Sequence, residues 1–484
     1  MVCMHRVDNK RQQAAILRAI GYAVTIFLTA TTTAILLYVA LGYRLGSSGH
    51  VVKNGLLLVD NRPQSAQVYI NGEQKDSSTP SRFVLPAGNF QLDLKLDGYR
   101  NWTKQVRVSA SKVREVNYPL LIPKDLSQLT IASLPPLEVV SQSHDRKLIL
   151  VFSAASSQLN LIELDSKEPV ITPLTLGSAV RREDGQIGTL KVLEWSLNNK
   201  NVLLEQSLPS GAKDLLSVDV TKPSEAINIS TLYADRSITD VHYVGGETKQ
   251  IYGLRNGILS RYDLSSASQT IVMQNIMTFV PYGDDTVLFS RQSEDQQQIG
   301  IWKDSKEVVV SQVAASLGVA RLLYAQYDEH FYLVVGFSEG EAVTVFRDPL
   351  KRPILTKQLP YTTLAFSRPQ QITFSGSAQF FMLQNGPRAT IYDLEDVTSY
   401  AFEVPFATAL ESKLAWVDDH RIQAVSDKNV SYIFDYDGTN QQQLTAVRPG
   451  SRLYYSNNYE HYYSFGSDTT ATALQATSLV FEKP

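Results

Sequence analysis

The chain has 484 residues, of which 19% are charged and 10% aromatic, and a formal net charge of −3. That length exceeds one ordinary core, the composition excludes a disordered chain, and the charge is too small and too mixed for a nucleic-acid partner. Cys3 is the only cysteine, so everything after it is held together by burial and hydrogen bonding, with no disulfide.

The first element is the uncharged run AIGYAVTIFLTATTTAILLYVALGY at 19–43. At ~1.5 Å per residue such a helix reaches roughly 37 Å, enough to cross a ~30 Å hydrocarbon core with some tilt. Arg6, Lys10, Arg11 and Arg18 precede it against Asp8, whereas only Arg44 and Lys53 follow nearby. This bias predicts a cytoplasmic tail at 1–18, a single-pass signal anchor in the lipid bilayer at 19–43, and extracytoplasmic domains beyond. A cleaved signal peptide would need an apolar core of ~7–15 residues and a small-residue cleavage site. The run instead passes straight into Tyr43, Arg44 and Leu45. Thr25, Thr29, Thr31, Thr32 and Thr33 are read as bonding back to carbonyls of their own helix. Cys3 is read as a free thiol, with acylation near the membrane as the alternative.

Residues 55–122 alternate with period two. Ala66, Val68 and Ile70 lead to Asn71-Gly72, the dipeptide that suits a type I′ turn because both central residues need positive φ. Leu92, Leu94 and Leu96 share one face before Asp97-Gly98, and Trp102, Val106 and Val108 continue the pattern. Six or seven short strands in this space predict a small β-sandwich with Trp102 in its core. The order AQVYINGE, TP, LPAGNFQLDLKLDGYRNW resembles the PEGA domain. Ala66, Val68, Asn71, Gly72, Thr79, Pro80, Pro86, Gly88, Phe90, Gly98, Tyr99 and Trp102 carry the match, with Pro-Ala-Gly at 86–88 departing from the family's namesake tetrad. The resemblance implies a non-catalytic surface module beside a membrane anchor.

Residues 123–136 contain prolines and read as a linker. From 137 to 484 the chain repeats loosely, with strands closing on aspartate in LNLIELDS, LLSVDVTK, LSRYDLSS, ATIYDLED and YIFDYDGT. Strand starts near 145, 195, 240, 279, 322, 371, 414 and 452 give a period of ~40–50 residues, which predicts a β-propeller of seven or eight blades. Two successive sandwiches would fit that period less well. LEWSLNNKNVLLE, with Trp195 and Ser196, and YIFDYDGTNQQQLT resemble repeats of TolB-type and WD-repeat-like propellers. Asn198-Asn199-Lys200 replaces the usual Pro-Asp-Gly.

The chemical motifs are sparse. GFSEG at 336–340 matches a nucleophile-elbow string, but strands on both sides make it a hairpin loop rather than a site for Ser338. Asp435, Asp437 and Asn440 give half a calcium loop with Ala446 where its last ligand should stand, so a turn is expected. The seven histidines show no metal spacing, and there is no P-loop or dinucleotide glycine pattern, so no catalytic residue, metal or cofactor is expected. Tyr454, Tyr455, Tyr459, Tyr462 and Tyr463 are the candidate binding surface, although alternation would turn some of them toward a neighbouring blade.

The sequence therefore predicts a mainly β protein: one transmembrane helix, a PEGA-like sandwich, then a propeller whose loops recognise an envelope protein or glycan without catalysis. The alternatives are a glycosidase-like enzyme with a carboxylate pair in the propeller channel, and an envelope-assembly factor.

Overall fold

The computed structural model describes residues 5–40, 43–45, 51–164, 168–180, 185–351, 358–406, 413–467 and 471–480. Cys3 lies outside them. The chain divides into two compact units, 1–124 and 125–484.

The first unit opens with one helix, His5–Ala40. Its segment Ile16–Leu37 has a mean hydropathy of 1.8 and is exposed throughout. The helix begins well before the expected 19 because Lys10, Arg11, Gln12, Gln13, Ala14 and Ala15 are all good helix formers. Ala40 is its last described residue, and Tyr43, the expected end of the helix, belongs to the strand Tyr43–Leu45. Thr25, Thr29 and Thr31 each donate to the carbonyl four residues back, at 2.8 to 2.9 Å. Their hydroxyls are thereby satisfied without any partner outside the helix.

The sandwich follows as two sheets. In one, Val51–Val59 pairs antiparallel with Tyr43–Leu45 and Ser81–Pro86 and parallel with Val113–Val116. The other runs in the order Glu73–Ser78, Gln67–Ile70, Gly88–Lys95, Trp102–Val108. Asn71 and Gly72 have φ of 51° and 80°, the geometry expected of that dipeptide. The alternating residues meet between the sheets: Leu57, Val68, Ile70, Leu92, Leu94, Trp102, Val106 and Val108 form one core, with Trp102 1% exposed. Gly55 is fixed by a close approach, since a Cβ there would stand 2.3 Å from the Ser109 carbonyl oxygen.

The second unit is an eight-bladed β-propeller. Its described residues form eight four-stranded antiparallel sheets. Blades 1 to 7 take their strands in simple order from Val139–Gln142, Thr189–Trp195, Thr239–Val244, Ile276–Tyr282, Ala320–Tyr327, Gln371–Phe374 and Ala415–Trp416 onward. Each of these first strands includes a predicted strand start or lies within six residues of one. From blade 1 to blade 6 the first strand of each blade contacts that of the next, so these strands form the inner wall. Neighbouring blades share apolar cores: Phe152 and Leu159 of blade 1 with Trp195 and Val202 of blade 2, or Leu288 and Ile299 of blade 4 with Leu322 and Leu333 of blade 5.

Blade 8 corrects the expected linker at 123–136. It consists of Tyr454–Tyr455, His461–Ser467 and Thr472–Ser478, and its fourth strand is Gln128–Leu134 from the opposite end of the unit. Thr477 faces Gln128 and Thr472 faces Leu134. This pairing closes the ring, and Leu134, Leu137 and Ile149 pack with Tyr454, Phe465 and Leu474 behind it. The prolines at 135 and 136 only end that strand.

Two local devices recur. The aspartates closing the third strands cap the next turn. Asp219 accepts from the Thr221 amide at 2.8 Å, Asp263 from those of Ser265 and Ser266 at 2.9 Å, and Asp393 from that of Glu395 at 2.9 Å. The turn between first and second strands is built on serine in SHDR (143–146), SLNN (196–199), SGSA (375–378) and SNNY (456–459). Each serine Oγ accepts the amide five residues on: Leu148 at 3.1 Å, Asn201 at 2.9 Å, Phe380 at 3.3 Å and His461 at 3.0 Å. The fourth residue, Arg146, Asn199, Ala378 or Tyr459, has φ between 58° and 62° in all four turns. In an antiparallel blade with its first strand innermost, both kinds of turn open on the same face of the ring.

Candidate ligand-binding face

The tyrosine segment does not form an exposed surface, although Tyr455 reaches the wall of one cavity. Tyr454, Tyr455, Tyr462 and Tyr463 are 0 to 5% exposed, because both faces of a blade are covered by its neighbours. Tyr454 packs on Phe465, and its hydroxyl donates to the Val140 carbonyl of blade 1 at 3.4 Å. Burial pushes the Tyr454 and Tyr463 phenols up. Tyr459 is half-buried and carries the Arg146 guanidinium 4.8 Å above its ring. These residues join blade 8 to its neighbours.

The other motifs fall as their sequence context indicates. Ser338 follows strand His330–Phe337 and precedes strand Ala342–Arg347, and its hydroxyl accepts the Val319 amide at 3.0 Å. Asn440 donates to Asp435 at 2.9 Å, and Asp437 accepts from the Thr439 hydroxyl at 2.6 Å, so these groups fold their own turn. Trp195 is 4% exposed and donates its indole N–H to the Ser141 hydroxyl of blade 1 at 3.0 Å.

Groups of buried and half-buried aromatic rings that line cavities lie elsewhere, on the turn face of blades 4 to 6. Between blades 4 and 5, a cavity of about 310 Å3 has Tyr282, Tyr324 and Phe331 as its floor and Asp285, Lys303, Asp348 and Lys351 at its rim. Tyr282 meets Tyr324 edge-on at 5.0 Å, and Tyr324 stacks on Phe331 at 5.5 Å. Lys351 lies 3.2 Å and His330 2.5 Å from the Asp348 carboxylate. Burial alone would raise Asp348. The Phe331 amide, His330 and Lys351 outweigh it and hold the carboxyl below its usual range.

On the other side of the same turn, between blades 5 and 6, lies a cavity of about 600 Å3 lined by Tyr327, Tyr332, Arg347, Tyr361 and Glu395. Arg347 sits 4.6 Å above the Tyr361 ring, and the Tyr327 hydroxyl donates to Glu395 at 3.0 Å. Burial first, and then this carboxylate, push the Tyr327 phenol up. Aromatic floors with polar groups around them are the usual form of a ligand pocket, and both volumes fall in the ~300–1,000 Å3 range such pockets occupy. The signal was present in RLLYAQYDEHFYL (321–333), which carries Tyr324, Tyr327, Phe331 and Tyr332, though less densely than the segment singled out above.

The inner wall brings one acid–base group together. His242 Nδ1 lies 3.0 Å from Glu194 of blade 2, and its Nε2 lies 3.4 Å from Asp240. Asp240 has a φ of 48° at a bulge in its strand, which turns its carboxylate toward the ring. Burial works against a charged imidazole, but the bonds to Asp240 and Glu194 prevail and raise its pKa to about 9. Among the described residues no group of histidine, cysteine and carboxylate side chains could hold a metal ion.

Residues 54–122 match the PEGA domain family. No curated protein matches the sequence. Solved structures similar to the chain include the C-terminal WD40 domain of Sif2, at 9% identity and a TM-score of 0.49, covering 72% of this chain and 98% of that one. Another is Kluyveromyces lactis Hsv2, at 11% identity and a TM-score of 0.41, covering 64% and 98%. A third is an oligogalacturonate lyase in complex with manganese, at 11% identity and a TM-score of 0.39, covering 74% and 98%. Likeness at this level says nothing of activity. The chain is a β-propeller protein with an N-terminal apolar helix and a PEGA domain.

Proposed function

We propose that this protein is a membrane-anchored, extracytoplasmic recognition protein that captures an envelope protein or glycan on the turn face of its propeller, without catalysis. The observation that carries the reading is the pair of aromatic-floored cavities on blades 4 to 6, whose cations and carboxylates sit at the edge of apolar rings. Such surfaces suit partners with both apolar and polar faces. The exposed apolar helix and the basic residues before it support an anchor with its N-terminus in the cytoplasm. The enzyme alternative asks for two carboxylates free to act across a substrate. Glu194 and Asp240 are close on the inner wall, but His242 bonds to both.

The test is capture of envelope components by the detergent-solubilised full chain and by the variants Phe331→Ala and Tyr361→Ala. Both residues are half-buried, lining the cavities at the margin of the apolar cores they pack against. Retention of a specific partner should fall at least tenfold in one or both variants while circular dichroism stays unchanged. Equal retention by all three proteins would refute this face as the recognition site. Protease protection in sealed vesicles reads the orientation, and a propeller degraded only from the cytoplasmic side would overturn it.

A further inference from the structure

We propose that a third cavity, where blades 7, 8 and 1 meet, binds a small oxyanion: a phosphate or carboxylate group. This cavity measures about 210 Å3 and opens among the serine-built turns. Its wall includes His144, Arg146, Trp416, Gln423, Arg452 and Tyr455, and no carboxylate.

Two observations point independently to an anion. The first is the state of the two guanidinium groups. Several arginines elsewhere in the propeller meet carboxylates, as Arg236 meets Asp214 at 2.7 Å and Arg291 meets Glu307 at 2.8 Å, while Arg261 meets Gln250 at 2.6 Å. Arg146 instead bonds the Tyr459 hydroxyl and the Val417 carbonyl oxygen, and stacks on the Tyr459 ring. Arg452 lies 5.9 Å above the Tyr454 ring. Among the described residues neither has an acidic partner. For the half-buried Arg146 a missing counter-charge is costly; Arg452 is exposed, and the planar fork of each matches an oxyanion.

The second observation is a set of buried polar atoms left unpaired in the same wall. Tyr455 is 3% exposed and its hydroxyl has no hydrogen-bond partner. The Trp416 indole N–H has none either. Both can donate, and an anion accepts from donors. Gln423, 5% exposed, donates its amide nitrogen to the Leu453 carbonyl at 3.2 Å, and its unpaired side-chain oxygen, an acceptor, suits only a protonated oxygen of the ligand. The cavity is smaller than the usual ligand pocket, so it suits one charged group rather than a whole saccharide. A divalent cation is disfavoured by the arginines, and a neutral sugar would leave their charge unbalanced.

Arg146 and Tyr459 occupy the same left-handed position in the turns of blades 1 and 8, where blades 2 and 6 carry Asn199 and Ala378. The turn geometry is therefore general to the propeller. What is special to this junction is the long side chains that the turns project.

The experiment titrates the full chain in detergent with inorganic phosphate, glycerol 3-phosphate, glucuronate and galactose at constant ionic strength, by calorimetry and thermal shift. Saturable binding of at least one anion, and none of galactose, is expected. Arg452→Gln and Trp416→Phe should each weaken it at least tenfold, with the unliganded melting temperature nearly unchanged for the exposed Arg452. Preference for glycerol 3-phosphate over phosphate would assign an esterified group, such as a headgroup or polymer end, and the reverse a free ion. Glucuronate alone would assign a carboxylate. No saturable binding by any anion, or equal binding by wild type and both variants, would overturn the proposal. These readouts do not involve blades 4 to 6, so capture there and anion binding here can fail separately.

Discussion

At the residue scale, His242 makes the sharpest statement. Its pKa, raised from 6.5 to about 9 by Glu194 and Asp240, means that the folded state holds a proton the unfolded chain releases earlier. The stabilisation is complete below about pH 6.5, declines as pH rises, and is lost once pH passes through about 9. The difference in melting temperature between wild type and His242→Gln should therefore be largest near pH 6 and shrink by about pH 10. A constant difference across that range would show that the imidazole acts through packing on Phe279 alone, 5.4 Å away edge-on. Nothing in the sequence joined Glu194 to His242, since they belong to different blades and only the ring brings them together. The tyrosines at 454–463 were misread for a related reason. Alternation shows which residues share a face, but in a propeller both faces of a strand are interior.

At the element scale, the serine turns are predicted to carry equal weight in different blades. Ser196 is 1% exposed, accepts the Asn201 amide and donates to Asn198 at 2.7 Å. Ser196→Ala leaves that amide unpaired at a buried position, a loss of about 1–3 kcal/mol. The same change at Ser375 or Ser456 should cost a similar amount, measured as the shift in urea midpoint at constant slope. A near-zero effect at all three would mean that the backbone pairing alone sets the turn. One of these turns was legible from Trp195-Ser196. The others were not, because only the serine and the hand of the fourth residue are shared. Asn71-Gly72 was legible because a two-residue turn imposes its φ angles on the residues themselves.

At the scale of the whole molecule, the blade period was readable because each blade is built from local hairpins, while the count was left at seven or eight. The closure was not, because Gln128–Leu134 has its partner about 350 residues further along the chain. Deleting residues 125–134 should open blade 8, expose the edge of Thr472–Ser478, and lower the melting temperature of the propeller by several degrees with a broader transition. An unchanged, equally sharp transition would mean that packing behind the strand suffices to hold the ring. The PEGA sandwich has its own core and should melt independently of that deletion.

The closing strand also sets a clock. It is synthesised before every blade, yet its partner strand is made last. At ~5–20 residues per second, about 20 to 70 s separate the two on the ribosome. For that interval a ready-made strand waits with its hydrogen-bonding edge unpaired, the situation in which β chains mispair with copies of themselves. Its sequence, QLTIASL, carries no charge to discourage this. The protein's yield should therefore depend on how quickly its last blade is delivered. Slowing translation near the 3′ end of the message should cost more folded propeller than slowing it near the start.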